Sequence, residues 1–247
     1  MLVSFVKGTP ALLINKERVL VVGDLHIGMH LKLRESGIYF QNATERMAES
    51  LLTAYERSRA KSVVLLGDVK ESITSPSFAE YKELKLFFDK LAGVEMRIVK
   101  GNHDGGLEKV LKNMGFSVPV EREILVGGVA LTHGNSWPSL IAMRSKYVVV
   151  GHGHYAVMRN GTREKIWIVS KVTRKTSRMY EHYYRSAKLV VAPSFNNLIV
   201  GSTLSSKAEG YLPLLKNGFF DFKNSEVYDL EGKLVGKAGK IVSDGAR

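Results

Sequence analysis

The sequence predicts an α/β protein in which residues 1–247 form a single domain whose two halves pack as two sheets. Two observations predict this class. In the first half, apolar strands alternate with amphipathic helices, which is typical of a largely parallel sheet with crossover helices. In the second half, short strands flank the dipeptides Gly127-Gly128 and Asn160-Gly161, which is typical of antiparallel hairpins. Repeats, linkers and low-complexity tracts are absent from the sequence.

The first half is expected to hold five strands, at residues 2–6, 11–14, 18–22, 62–66 and 94–99. Residues 28–39 have a mixed pattern, so we expect a surface loop there. Asn42 is predicted to cap a helix over residues 42–59, with Glu45 at capping-box spacing. A second helix is predicted to start at Ser75-Pro76, with proline in its first position. Its buried stripe comprises Phe78, Tyr81, Leu84, Phe88 and Leu91. A third helix is predicted over residues 107–114, ended by Gly115.

The second half is expected to consist mostly of strands. Two hairpins are predicted, pairing residues 123–126 with 129–132 and residues 156–159 with 163–169. Further strands are predicted at 147–150 and 189–192, with a short helix over 137–144 and an irregular stretch over 171–185. Residues 219–222, 226–230 and 233–235 suggest a closing antiparallel meander.

The composition excludes several classes of protein. The chain has no cysteine, so disulfides and thiolate metal sites are excluded. The first twenty residues lack the basic and apolar regions of a signal peptide. No run approaches the roughly 18 apolar residues that cross a bilayer. We therefore expect a soluble cytoplasmic protein without a membrane partner.

The net charge of +12 favours a polyanionic partner, of which nucleic acid is the commonest. Between residues 158 and 188 the chain carries nine basic residues and two acids. Within this stretch, Arg174, Lys175 and Arg178 lie among tyrosines, a composition that can follow a phosphate backbone and stack bases. We expect these three residues to contact substrate at the rim of the active site. The alternative is a basic loop whose tyrosines are packed in the core.

Chemistry-bearing side chains follow five of the strands. The strand-end residues are Asp24, His26, Asp68, Asn102, His103, Asp104, His133, His152 and His154. Buried carboxylates and imidazoles without partners cost several kcal/mol, and a shared divalent cation removes that cost. The donors are imidazole, carboxylate and amide without sulfur, which suits Mn, Fe, Zn or Co better than calcium. Seven of these nine side chains as ligands would be too many for one ion with an open site and would suit two ions that share a bridging carboxylate.

The order of these motifs, D-x-H, G-D-x-x-E, G-N-H-D, H-G and G-H-G-H, strongly resembles the calcineurin-like metallophosphoesterase superfamily. All five blocks occur in order between Asp24 and His154. The resemblance implies a four-layer αββα sandwich of two mixed β-sheets flanked by helices. It also implies a hydrolase with two divalent metal ions, of which Mn²⁺ is the first expectation and Fe, Zn, Co and Ni are alternatives.

The resemblance also implies roles for the strand-end residues. One metal would be held by Asp24, His26 and His154. The other would be held by Asn102, His133 and His152. Asp68 would bridge the two ions, and a hydroxide between them would attack the phosphorus. His103 would protonate the leaving oxygen, and Asp104 would orient its ring.

The motifs do not assign a role to three neighbouring residues. Glu71 could be a structural hydrogen-bonding residue or a substrate contact. Lys70 could face the substrate phosphate or the solvent, and we favour solvent. His30 matches no block, and we expect it at the surface or behind the ligands.

The variable positions of the blocks narrow the substrate. The G-N-H-D form, and a second block without arginine, differ from the protein Ser/Thr phosphatases of the superfamily. Residues 23–28, 33–38 and 192–198, with Gly201, resemble a small prokaryotic group of phosphoesterases, some ligase-associated and linked to DNA repair. That group often has His where this chain has Glu71. We therefore expect hydrolysis of phosphodiester bonds in nucleic acid. A small nucleotide substrate is the alternative, and a non-catalytic scaffold is a third.

Overall fold

The computed structural model describes residues 2–205 and 212–245. The strands of the first half are β1 (Val3–Val6), β2 (Ala11–Ile14), β3 (Val19–Val22), β4 (Ser62–Leu65), β5 (Glu95–Val99) and β6 (Val120–Glu121). Those of the second half are β7 (Glu123–Val126), β8 (Val129–Thr132), β9 (Tyr147–Val150), β10 (Tyr155–Arg159), β11 (Thr162–Lys165), β12 (Trp167–Lys171), β13 (Lys188–Val191), β14 (Ser202–Thr203), β15 (Glu226–Tyr228) and β16 (Leu234–Lys237). The helices are α1 (Met29–Glu35), α2 (Ala43–Ser58), α3 (Phe78–Lys90), α4 (Leu107–Asn113), α5 (Pro213–Lys216) and α6 (Ala238–Gly245).

The first sheet has the order β1-β2-β3-β4-β5-β6. Strands β3, β4, β5 and β6 are parallel, whereas β1 and β2 join by antiparallel pairing. The predicted alternation of strands and helices is therefore confirmed from β3 onward. Parallel pairing requires each strand to return through a crossover, so β3, β4 and β5 all end at one edge of the sheet. This edge is called the site edge below.

The second sheet has the order β16-β15-β12-β13-β9-β8-β7, and its central strands β13, β9 and β8 are parallel. The predicted hairpin around Gly127-Gly128 is formed by β7 and β8. The hairpin around Asn160-Gly161 is formed by β10 and β11, which with β14 make a small third sheet. Of the predicted closing meander, β15 and β16 form as expected, whereas Phe220 makes only an isolated bridge to Val172.

Alternate residues of each strand face different layers, and this produces four layers. In the first sheet, Val21 and Val64 pack between the two sheets against Leu131 and Val190 of the second. The other face of the first sheet is covered by α2, α3 and α4, and the outer face of the second by α5, α6 and the loops around them. The expected αββα sandwich of two mixed sheets is confirmed.

Some local predictions are wrong. Residues 29–35 form α1 rather than a loop; none of its residues is buried, so it lacks the periodic stripe that would have revealed it. Asn42 precedes α2 but adopts a left-handed conformation and makes no side-chain cap. Helix α3 starts two residues later than predicted, because Ser77 accepts the cap hydrogen bond from the Glu80 backbone. Phe78 is consequently exposed rather than part of the buried stripe. Of the helix predicted over 137–144, only a 3₁₀ turn, Ala142–Arg144, forms.

Within the described part of the chain, no helix has the length and apolar character that crossing a membrane requires.

Candidate metal centre

The loops after β3, β4, β5, β8 and β9 meet at the site edge, where the two sheets are joined directly. The backbone N–H of Asp24 donates to the carbonyl of Gly67 within the first sheet, at 3.0 Å. The carboxylate of Asp24 accepts from the backbone N–H of His152 in the second sheet, at 3.1 and 3.2 Å. The side chains that the sequence placed on separate strand ends are therefore neighbours in space.

The first group of candidate ligands comprises Asp24, His26 and His154. Their ligand atoms all lie within 4.8 Å of one another. Nε2 of His154 is 3.0 Å from Oδ1 of Asp24. Nε2 of His26 and Nε2 of His154 are buried and have no hydrogen-bond partner among the described residues. Two unpartnered imidazole nitrogens beside a buried carboxylate fit a cation bound among them.

The second group comprises Asp68, His133 and His152, again within 4.8 Å of one another. Nε2 of His133 lies 3.2 Å from Oδ2 of Asp68 and 3.2 Å from Oδ1 of Asn102. Oδ2 of Asp68 also lies 3.7 Å from Nε2 of His26, in the first group. One carboxylate oxygen thus faces a histidine of each group, which is the placement a bridging ligand needs.

The protonation of these groups reflects their mutual contacts. Burial opposes the charged form of Asp68, but the hydrogen bond and charge of His133 outweigh it and hold its pKa well below the usual range. Burial likewise disfavours protonation of His133, but the contact with Asp68 and the charge of Asp24 raise its pKa to about 9. For His152, burial and then the neighbouring charge of His133 lower the pKa. The buried carboxylates favour positive charge beside them, and protonated imidazoles supply it when no cation is bound. Divalent cations can replace these protons, so the cluster is suited to bind them.

Five of the candidate ligands have a left-handed backbone conformation, which residues other than glycine rarely adopt. The φ angles are 56° at Asp24, 43° at His26, 49° at Asp68, 62° at His152 and 40° at His154. Left-handed conformations of non-glycine residues cost free energy and concentrate at functional sites. The strain is thus located at the residues whose side chains must converge.

Two glycines permit the close approach of these loops. A Cβ atom at Gly101 would overlap the backbone nitrogen and Oδ1 of Asp68. A Cβ atom at Gly151 would lie 2.7 Å from Oδ2 of Asp24. The glycines of the G-N-H-D and G-H-G-H blocks therefore make room for candidate ligands of neighbouring strands.

His103 lies next to the cluster and is held at two points. Its backbone N–H donates to Oδ1 of Asp68 at 2.8 Å, and Nδ1 of its ring lies 2.5 Å from the carbonyl oxygen of Glu71. The carbonyl can only accept, so Nδ1 carries a hydrogen and Nε2 is the free ring nitrogen. Its ring centroid is 4.8 Å from that of His26.

Asp104 does not orient the His103 ring, contrary to the expectation. Its buried carboxylate accepts backbone N–H bonds from Val69 at 2.9 Å, Lys70 at 3.3 Å and Gly101 at 2.8 Å. Both oxygens are thereby turned toward the loop backbones. Asp104 joins the second and third blocks, and the Glu71 carbonyl takes the ring-orienting contact.

Of the two roles considered for Glu71, a structural hydrogen-bonding residue or a substrate contact, the structure favours the first. Its buried carboxylate contacts Nδ1 of His26 at 2.8 Å and accepts from Nζ of Lys32 at 2.6 Å. Burial opposes ionisation, but the contacts with His26 and Lys32 lower the pKa of Glu71. A carboxylate on Nδ1 directs Nε2 of His26 toward the cluster, as carboxylates commonly do behind metal-binding histidines. His30 is half-buried, 3.5 Å from a Glu83 oxygen.

Lys70 does not face solvent, and that expectation is wrong. Its side chain is fully buried, and Nζ donates to the carbonyls of Ser72, Thr74 and His103, with that of Ile73 at 3.4 Å. A buried ammonium requires such oxygen partners to offset its lost hydration. Lys70 therefore ties the loop after β4 to the backbone of His103.

Sequence reasoning assigned no role to three residues that support the centre. Ser194 Oγ donates to the carbonyl of Asp24 at 2.8 Å, and Asn196 Nδ2 donates to that of Leu25 at 2.7 Å. Lys165 Nζ in turn donates to the carbonyls of Ser194 and Asn196, each at 2.7 Å. The 192–198 motif signalled the first two by its resemblance. Lys165 gave no signal, because a lysine in a hairpin strand is ordinarily exposed.

The basic stretch does not lie at the rim of this centre. Strand β12 is antiparallel to β13, with Ile168 opposite Val191 and Lys171 opposite Lys188. Since β13 ends at the site edge, β12 ends at the opposite edge. The hydroxyls of Thr173 and Thr176 then bind the carbonyls of residues 218 and 219, next to the bridge between residues 172 and 220. These bonds hold the turn that contains Arg174, Lys175 and Arg178 at the opposite edge. The expectation of a rim position is wrong because the chain direction reverses at β12.

Comparisons with known proteins agree with this architecture. The sequence profile of the calcineurin-like phosphoesterase superfamily domain matches residues 18–172. The crystal structure of Pseudomonas putida nuclease MPE is similar with a TM-score of 0.59 at 16% identity, covering 90% of this chain and 89% of that one. The phosphoesterase Yfce from E. coli gives a TM-score of 0.43 at 18% identity, covering 88% and 96%. A search of curated proteins found no match.

The chain is thus a two-sheet sandwich with candidate ligands for divalent metal ions, histidines and carboxylates, gathered at its strand ends. More specifically, the chain belongs to the calcineurin-like phosphoesterase superfamily, since the family profile covers more than half of it and includes every candidate ligand. Members of this family use divalent metals. The chain is accordingly a phosphoesterase.

Proposed function

We propose that the protein is a two-metal phosphodiesterase acting on nucleic acid. The observation that carries this proposal is the position of Asp68, whose Oδ2 lies 3.2 Å from His133 and 3.7 Å from His26. A carboxylate between two sets of imidazole nitrogens is the arrangement that a pair of bridged cations needs. The Nε2 atoms of His26 and His154 add support, because they are buried and make no hydrogen bond among the described residues, while each faces a buried carboxylate.

In this proposal the candidate metal ligands and His103 keep the roles that the resemblance implied. One ion is held by Asp24, His26 and His154, and the other by Asn102, His133 and His152, with Asp68 shared between them. Bound there, the ions supply Lewis acidity toward the phosphate and lower the pKa of water to give a nucleophile at neutral pH. Mn²⁺ is the ion we propose, with Fe, Zn, Co and Ni as alternatives, because the donors are nitrogen and oxygen only.

His103 is proposed as the general acid. Hydroxide, formed when water loses a proton to solvent, attacks phosphorus in line. The bond from phosphorus to the leaving oxygen breaks, and the doubly protonated ring of His103 gives its Nε2 proton to that oxygen. Nδ1 keeps its hydrogen bond to the Glu71 carbonyl, which fixes the ring plane for this transfer. Asp68 contributes through the His103 backbone N–H, so the acid and the proposed bridging ligand are positioned together.

Nucleic acid is the proposed substrate because the net charge of +12 attracts polyanions and a protein of this fold is described as a nuclease. A small nucleotide phosphodiester is the second candidate, favoured by the position of the basic stretch away from the site edge. The single domain over residues 1–247 and the cytoplasmic location stay predictions.

The test compares bis(p-nitrophenyl) phosphate with labelled single-stranded DNA and RNA in the presence of Mn²⁺. His103→Ala should keep both metals, measured by mass spectrometry of the bound ions, and lose about 10²–10⁴-fold in turnover. His182→Ala is the matched control, since this histidine is exposed within the basic stretch. Undiminished turnover in His103→Ala would show that His103 is not the general acid. If the enzyme cleaves the small diester but neither DNA nor RNA, nucleic acid is excluded as the substrate and small nucleotide phosphodiesters become the proposed substrates.

A further inference from the structure

A pocket of about 300 Å³ lies at the site edge, between the start of α2 and the loop over residues 195–198. Helix α2 follows β3 and precedes the parallel strand β4, so its first turn lies at the edge where β3 ends. The opposite wall is attached to the candidate ligand loop: Phe195 N–H donates to the carbonyl of Gly23 at 2.8 Å, and Asn196 Nδ2 to that of Leu25. The pocket therefore adjoins the loop that carries Asp24 and His26.

The segment that leads to the pocket carries three exposed apolar side chains. Ile38, Tyr39 and Phe40 are 49%, 73% and 43% exposed, and they are consecutive in the segment between α1 and α2. Phe40 also lines the pocket. Adjacent exposed aromatic residues on a surface segment indicate a contact with a ligand rather than with the core.

The lining favours a flat, neutral, polar-edged ligand. Amide side chains of Gln41 and Asn197 supply both donors and acceptors, and Arg46 is the single charged residue of the lining within the described part of the chain. A groove for phosphates would need several cations, whereas this lining offers the aromatic face of Phe40 and the exposed amide groups of Gln41 and Asn197. A nucleobase matches both features, because it has a π face for stacking and an edge of donors and acceptors.

We propose that this pocket receives the nucleobase of a nucleotide next to the scissile phosphate. Phe40 stacks on the base, Gln41 and Asn197 bind its edge, and Arg46 meets the phosphate on its far side. This inference rests on the proposed function and deepens it: the enzyme recognises a base as well as a phosphodiester, and does so at the site edge rather than through the basic stretch.

The test uses two diesters that share a p-nitrophenolate leaving group: the p-nitrophenyl ester of thymidine 5′-phosphate, which has a base, and bis(p-nitrophenyl) phosphate, which has none. The wild type should prefer the thymidine ester in kcat/KM by at least about tenfold. Phe40→Ala should reduce this ratio about tenfold, mainly through KM, and Phe40→Tyr should restore it. Tyr184→Ala is the matched control, because its aromatic ring is 39% exposed in the basic stretch.

A ratio that does not change in Phe40→Ala, or that changes equally in Tyr184→Ala, would overturn the base-binding pocket while leaving the phosphodiesterase in place. An equal fall for both diesters would assign the pocket to any aromatic group and would also overturn base recognition. Hydrolysis of neither diester by the metal-loaded wild type would instead contradict the proposed function itself.

Discussion

The substitution Lys70→Met probes the link between the loop after β4 and the general-acid candidate. The ammonium of Lys70 is fully buried and has three protons for four carbonyl oxygens. The carbonyl of Thr74 lies at an ordinary hydrogen-bond distance of 2.8 Å from Nζ, and that of His103 lies closer, at 2.5 Å. Methionine has similar length and no charge, so it fills the space but leaves these carbonyls without a donor.

The magnitude follows from the number of lost bonds. Each hydrogen bond to a charged group contributes about 1.5–3 kcal/mol, and three are lost, but the cost of burying the ammonium disappears with it. We expect a net loss of about 3–5 kcal/mol in the free energy of unfolding. Ile73 is largely exposed, so water can reach part of this loop, which favours the lower end of the range.

Urea denaturation followed by circular dichroism measures this loss as a shift of the midpoint at constant slope. Lys32→Met is the matched control: its ammonium contacts Glu71 from a 56% exposed position, so its loss should stay within about 1 kcal/mol. A loss below about 1 kcal/mol in Lys70→Met would refute the reasoning, because the carbonyls would then be satisfied by water.

Two further predictions concern the candidate ligands and their support. Asp68→Asn should weaken both metal sites together by at least about tenfold, measured by calorimetric titration with Mn²⁺, and a clean loss of a single ion would contradict the bridging role. Burial lowers the pKa of Lys165 from 10.5 to about 8. Between these values Lys165 binds more protons in the unfolded chain than in the folded protein, so its contribution to the free energy of unfolding should rise as the pH increases from 8 to 10.5. Lys165→Met should lack this rise, so the difference in the free energy of unfolding between the two proteins should change over this pH range. Stability curves that run parallel in the two proteins would contradict the prediction.

Much of the architecture was predictable because it depends on local patterns. The apolar runs before Asp24, Asp68 and Asn102 predicted β3, β4 and β5, and the glycine dipeptides predicted two hairpins. Helix α1 was missed because none of its residues is buried, so the sequence carries no periodic stripe there. Asn42 does not act as a cap, because its backbone is left-handed and its side chain makes no cap hydrogen bond.

The sequence by itself determined the chemical inventory and its order: five turns with imidazole, carboxylate and amide donors, each following an apolar strand. The tertiary structure decided how those groups are partnered. Asp104 binds backbone rather than the His103 ring, Lys70 lies in a cage of carbonyls, and the basic stretch occupies the opposite edge. These outcomes depend on contacts between residues distant in sequence and on the direction of each strand. Local propensity encodes neither, because both arise only when the two sheets pack.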